Sequence, residues 1–315
     1  MTHTWTALKK TVEPGETEIQ LVLPANGWKV GDEIVIASTS KSIRENEVVR
    51  INGLSGDKYT LSIDPPLKYK HISIVQTIAG RVIETRAEVG LLTRNVRIRG
   101  SLHDEWTGII ENCPDDFDPD QFATQTCFDG RYGEERESDE FGVQIMIHSD
   151  QKDKGLAVAH FNHIEITHAG QAFRLGRYPI HFHMEGDVTG SYVKGCSIHR
   201  SFNRAVTMHH VHNLVVERNV IYNIRGNAYF MEDGIETGNV VRYNLAVHVV
   251  PSSSGLNVDI TPASYWVTNA NNTVSHNAAA GGSHFGFWYQ MFQHPDGPSH
   301  DTNICPRFNI VISLF

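Results

Sequence analysis

Five stretches in the second half of the chain can be written over one another: HFNHIEITH (160–168), VKGCSIHRS (193–201), VERNVIYNI (216–224), VRYNLAVHV (241–249) and VSHNAAAGG (274–282). Four carry asparagine, as Asn162, Asn219, Asn244 and Asn277, and the remaining copy has Cys196, at steps of 34, 23, 25 and 33 residues. A unit of roughly 23 residues, with a short strand, a turn and a second strand, cannot bury its apolar face alone and must stack on its neighbours. The expected fold is all-β, a parallel β-helix. Asparagine suits a buried corner of such a coil, where its amide bonds the asparagine of the next rung. The longer steps predict loops extruded from one face, and a groove between loops and strands is where a ligand is expected.

A second register gives the same period. AVTMHH (205–210) and AYFMED (228–233) lie 23 residues apart, which stacks Met208 on Met231, His209 on Glu232 and His210 on Asp233. IHFHM (180–184), one longer step earlier, adds His181 and His183 to this wall. The spacing predicts His183, His210 and Asp233 on a single line. Glu232 and Asp233, with Asp187 or Glu236, then supply a general acid and base assisted by His209 or His210. Arg204, just before the strand, is placed to hold an anionic group by paired hydrogen bonds. The bland alternative is that stacked polar side chains satisfy one another as ion pairs. A third reading draws His181, His183, His209 and His210 around a metal ion of unknown identity. No G-x-S-x-G element and no phosphate-binding glycine loop with its Lys and Ser/Thr is present, so Ser-based catalysis and nucleotide phosphate binding find no support.

Residues 1–100 read as a separate small β module, with strands expected at 18–23, 33–38, 47–51, 59–63 and 71–75 between Pro-Gly, Asn-Gly and Ser-Gly-Asp turns. Trp28 is expected in its core. Residues 101–140 are rich in Asp and Glu and read as an exposed loop or insertion, with calcium as the competing reading of the clustered carboxylates. The β-helix is expected over 141–305, and its aromatic run at 283–301 as a buried closing coil. A net charge of −9 argues against nucleic acid as a partner. The opening residues do not form a signal peptide and no run is apolar enough for a membrane span. Cys113 and Cys127 flank the acidic stretch and are a candidate disulfide. Asn271-Asn272-Thr273 is a glycosylation sequon.

Several of these phrases resemble one family. GWKVGDEIVIAST (27–39) is similar to the end of a G8 domain, and YPIHFHMEGDV, SIHRSFNRAVTMH, FMEDGIETGNVVRYNLAV and SYWVTNANNTVSHNAAAGGSHFGFWYQM resemble the repeats that follow it in a family of animal cell-surface proteins that includes cell-surface hyaluronidases. The resemblance implies a G8-like module followed by a right-handed parallel β-helix, extracellular or cell-surface placement, and a glycan, hyaluronan among them, or a surface protein as partner. It implies either adhesion without catalysis or hyaluronan cleavage, with calcium as the associated ion. Two departures stand out. Gly226-Asn227 replaces a Gly-His pair that relatives carry, which is read as a histidine lost from the wall. RFNIVISLF, in the 306–315 tail, is unlike family sequence and suggests a truncated or alternatively spliced product, or an incomplete gene model.

Overall fold

The computed structural model describes residues 3–100, 109–110, 135–136, 142–171, 175–252 and 257–307. Three sheets of parallel strands form the walls of a β-helix. The first runs Met146–Ile147, Ile180–Asp187, Val206–His212, Tyr229–Met231, Ala263–Val267 and Phe285–Tyr289. The second runs His160–Asn162, Tyr192–Lys194, Val215–Glu217, Val240–Arg242 and Thr273–Ser275. The third runs Val96–Arg99, Ile164–Thr167, Ser197–Ser201, Val220–Arg225, Leu245–Val250 and Ala278–Ala280. Side chains alternate across each strand, so one set from every wall meets inside. Phe182, Met208 and Met231 stack from the first wall, Val193, Val216 and Val241 from the second, and Ile198, Ile221 and Ala246 from the third.

The corner between the second and third walls is held by the expected asparagines. Asn219 Oδ1 accepts from Cys196 N at 2.8 Å, Asn244 Oδ1 from Asn219 N and Nδ2 at 2.9 and 3.0 Å, and Asn277 Oδ1 from Asn244 N and Nδ2 at 2.9 and 3.1 Å. Each amide also donates back to a carbonyl of the preceding turn, at Val193, Val216 and Val241. Cys196 occupies the ladder position and forms its end, because a thiol offers no equivalent acceptor pair. Asn162 is not a rung. It pairs with Lys194 on the second wall and is exposed, while the ladder position of that coil falls at Ile164, so the true step to Cys196 is 32 residues (196 − 164) rather than 34. A second ladder was not foreseen: Asn239 Oδ1 accepts from Leu214 N and Asn272 Oδ1 from Asn239 N, both at 2.9 Å. The turn leading into the first ladder is left-handed in every coil, at His163, Gly195, Arg218, Tyr243 and His276. At Gly195 the His163 imidazole lies over the turn, and a Cβ there would stand 2.6 Å from His163 Nε2, so a side chain at 195 would have to displace that ring.

The N-terminal module is an antiparallel sheet in the order Trp5–Ala7, Glu88–Leu91, Glu33–Ile36, Glu47–Leu54, Thr60–Asp64, Glu18–Gln20. Trp28 is in its core and donates from Nε1 to the His3 carbonyl at 2.9 Å. The strand expected at 71–75 instead begins at Ser73, in a hairpin with Arg81–Arg86 that leaves Ile74, Val75, Ile78, Val82 and Ile83 exposed. The module docks on the outer face of the third wall. Val35, Ala37 and Leu92 pack against Val220, Leu245 and Val247, and Gly90 permits the approach, since a Cβ there would stand 2.8 Å from Val220 Cγ1. Val96–Arg99 already pairs in parallel with Ile164–Thr167, so the β-helix takes its first strand of this wall from before the acidic stretch. The expected acidic loop, its calcium reading and the Cys113–Cys127 pair lie outside the described residues, as does the tail beyond Arg307.

Candidate functional site

On the first wall the outward columns are chemically unlike the core column between them. One runs His181, Thr207, Phe230, Trp266, Trp288. The other begins His183, His209 and passes to Glu232, whose backbone N–H donates to the Met208 carbonyl at 3.1 Å. The two columns bring three imidazoles together. Ring centroids of His181 and His183 are 4.8 Å apart, those of His183 and His209 4.9 Å, and His181 lies parallel to His209 at 6.0 Å. One nitrogen from each of the three lies within 4.8 Å of the others.

Charged partners close around this group. His209 Nε2 is 3.0 Å from Asp233 Oδ2 and its Nδ1 is 3.5 Å from Glu232 Oε2. Arg204 is buried and holds Glu232 Oε1 at 3.2 Å with Nη1 and Asp259 Oδ2 at 3.0 Å with Nη2, while its guanidinium lies 3.9 Å from the Phe230 ring centre. Arg204 Nη1 also donates to the Tyr178 hydroxyl at 3.2 Å. Ser299, from the 3-10 turn Gly297–Ser299 after the last wall strand, donates to Asp233 Oδ2 at 2.5 Å and meets His210 Nδ1 at 2.6 Å. His183 and Glu232 keep an intermediate exposure and are the wetter part of the cluster, with 21% of the Glu232 side chain exposed.

The electrostatics follow from burial and pairing. Burial pushes His181 down to about 3 and His183 down to about 4, and His209 adds to the depression of both, so these two imidazoles are neutral. Burial also works against a charge on His209, but Glu232 and Asp233 outweigh it and lift that group to about 9. Burial opposes ionisation of Glu232 in turn, yet His209 and Arg204 hold its carboxyl below the usual range. Glu236 is raised to about 7 by burial and by Asp233. Its oxygens accept from the backbone N–H groups of His210, Asp233 and Gly234, so it shapes the turn and does not face the wall.

Two residues expected at the site stand elsewhere. The pairing of Ile180–Asp187 with Val206–His212 is bulged between His183 and Gly186, and His210 is left-handed at φ 51°, which turns it off the wall. His210 Nε2 meets Asp153 Oδ1 at 2.7 Å, so the line is His183–His209–Glu232 and not His183–His210–Asp233. Asp187 is exposed beyond the bulge and accepts from Thr189 N and Oγ1 and from Asn213 Nδ2. Asn227 was read as a gap in the wall; it is a buried corner residue that donates to Asp259 Oδ1 and accepts from Ala263 N, both at 2.8 Å. Tyr178, Asp259 and Ser299 were missed. Ser299 ends the HPDGPS phrase (294–299), inside the 283–301 stretch that was read only as a closing coil, whereas Asp259 has no signal in its neighbours. The aromatic run at 285–289 is less buried than expected. Phe285, Phe287 and Tyr289 continue the inward columns but remain exposed, because no further rung covers them among the described residues. Asn271 is exposed in a turn, the placement a glycan acceptor needs.

The calcium implied by the resemblance does not fit this wall. Calcium takes about six to eight oxygen ligands, and the cluster offers three imidazole nitrogens.

Stacked parallel rungs with a histidine and carboxylate cluster on one outer wall define a β-helix protein with a candidate ligand site. Residues 140–312 match the family model described as the CEMIP beta-helix, and the chain belongs to that family. It is similar to fibrocystin-L of Mus musculus, with 54% identity over 307 residues, and to fibrocystin-L of Homo sapiens, with 54% identity over 308 residues. Each alignment covers 96% of this chain and 7% of the relative. The human protein named cell surface hyaluronidase CEMIP2 is 29% identical over 322 residues, 92% of this chain and 21% of that one. The chain therefore spans a small part of each of these relatives. Among the described residues no helix is long and apolar enough to cross a membrane.

Proposed function

We propose that the chain is a G8-like module and β-helix segment of an extracellular, cell-surface protein, and that its first wall binds a glycan without cutting it. The observation that carries this reading is the state of the wall carboxylates. Glu232 is held ionised between Arg204 and His209, and Asp233 is closed in by His209 and Ser299. Glycoside hydrolysis by paired carboxyls needs one that keeps a proton for the leaving group. Glu236, the one carboxyl of this group raised to about 7, is buried against backbone. Hyaluronan is the glycan to try first, because relatives of this chain are named as cell-surface hyaluronidases.

One observation favours hydrolysis instead. His209 carries its proton up to about pH 9 between two carboxylates, so it is a possible general acid with Glu232 or Asp233 as its partner. Incubation of the protein with size-defined hyaluronan, with and without calcium and beside Asp233→Asn, separates the readings. The expected result is an unchanged polymer length in every arm. Shortening by the wild-type protein and not by Asp233→Asn would overturn the binding reading and favour the hydrolase.

A further inference from the structure

We propose that His181, His183 and His209 form a binding site for a borderline divalent transition-metal ion of the zinc class, with Glu232 at its fourth position. The inference stands whether or not the wall binds a glycan.

Ligand orientation is its first support. His181 is 2% exposed; its Nδ1 lies 2.9 Å from the Gly176 carbonyl, which fixes the proton on Nδ1, and its buried Nε2 has no hydrogen-bond partner. A buried, unpartnered lone pair is costly unless something accepts it. The nitrogen thus left bare is the one available toward His183 and His209. His209 shows the same arrangement with a carboxylate. Asp233 Oδ2 sits 3.0 Å from its Nε2, so an ion that displaces the Nδ1 proton takes Nδ1 as the ligand nitrogen, and a carboxylate behind an imidazole is a common outer shell of a metal-bound histidine. Glu232 has one oxygen, Oε1, fixed by Arg204, while Oε2 is buried without a hydrogen bond, 3.5 Å from His209 Nδ1.

Distance is the second support. Zinc–nitrogen bonds of about 2.0–2.1 Å in a tetrahedron set ligand nitrogens about 3.3 Å apart. The three nitrogens already lie within 4.8 Å of one another, so closure onto one ion needs movements of under about 1 Å each, within the range of small side-chain rotations. Three imidazoles and a carboxylate suit zinc, copper, nickel or cobalt, and not calcium or magnesium. The rungs that carry them are rigid parallel strands, so the site is preorganised.

The test uses the full chain, stripped with a chelator, desalted and titrated calorimetrically with zinc chloride. Bound metal is counted by mass spectrometry, and cobalt chloride is used in parallel as an optical probe. The expected result is one zinc per chain, a tetrahedral cobalt absorption band, and no competition from calcium chloride. His183→Ala, at the partly exposed ligand, is expected to weaken zinc at least about 100-fold, and Asp233→Asn by about 10- to 100-fold through the outer shell. His276→Ala, at an exposed histidine in the last turn leading into the first asparagine ladder, is the control and keeps full affinity. Failure of the wild-type chain to hold zinc, a cobalt spectrum without the tetrahedral band, or equal zinc binding by a folded His183→Ala chain would overturn the site. The cobalt spectrum needs no variant, so the inference is decided even if His183→Ala misfolds.

Discussion

Arg204→Met is expected to lower stability by about 3–5 kcal/mol, the cost of removing one partner from a buried ion pair. Arg204 is buried against Asp259, which is itself buried and which also holds Asn227 at the corner of the next coil. Methionine fills the space over Phe230 but leaves Asp259 charged and uncompensated, and frees Glu232 from one of its two cationic partners. The measurement is the denaturant midpoint of the purified chain. Asp259→Asn placed in the Arg204→Met background is expected to recover part of the loss, because it removes the stranded charge. Equal stability of Arg204→Met and wild type would mean that water reaches this pair freely.

Asn244→Ala is the second large effect, expected at about 3–5 kcal/mol. The substitution removes the acceptor for both Asn219 N and Asn219 Nδ2, and it removes the donor to the Val216 carbonyl. These groups lie at a buried corner, where each orphaned one costs about 1–3 kcal/mol and partial relaxation makes the sum less than additive. Asn277→Ala is expected to cost less, since Asn277 is only partly buried and water can replace its amide. Asn162→Ala is expected to change the midpoint by less than about 0.5 kcal/mol, because that residue is exposed and outside the ladder. A large effect at Asn162 would contradict the register described here.

The corner asparagines show how much of the fold was legible. The amide at Asn219, Asn244 and Asn277 recurs because the corner of each coil needs both a donor and an acceptor, and that need is written directly in the sequence. The first coil has no asparagine at the corner, so the pattern there was matched to the nearby Asn162, two residues out of register. The stacking of Met208 on Met231 was legible for the same reason, a constant 23-residue step with no insertion.

The cluster was legible only in its straight part. His209 on Glu232 follows from the constant 23-residue step, whereas the longer step before it was misjudged by one residue, which set His183 against His210 instead of His209. The bulge after His183 was not read, although Gly186 inside the strand HFHMEGD is the kind of residue that marks one; two residues there face one, His210 turns to Asp153 and Asp187 is left outside. Asp259, in the short helix Asn257–Ile260, and Ser299, in the 3-10 turn Gly297–Ser299, lie 55 and 66 residues beyond Arg204 and Asp233 respectively, and no period links such a connecting segment to the strand it covers.

The measurement that bears most directly on the wall as a ligand site is equilibrium retention of size-defined hyaluronan by the immobilised chain, read beside His183→Glu. The account predicts saturable retention of uncut polymer by the wild-type chain and at least tenfold weaker retention by a folded His183→Glu chain, whose new carboxylate adds negative charge at the exposed part of the cluster. Absence of retention by the wild-type chain, or equal retention by the variant, would contradict it.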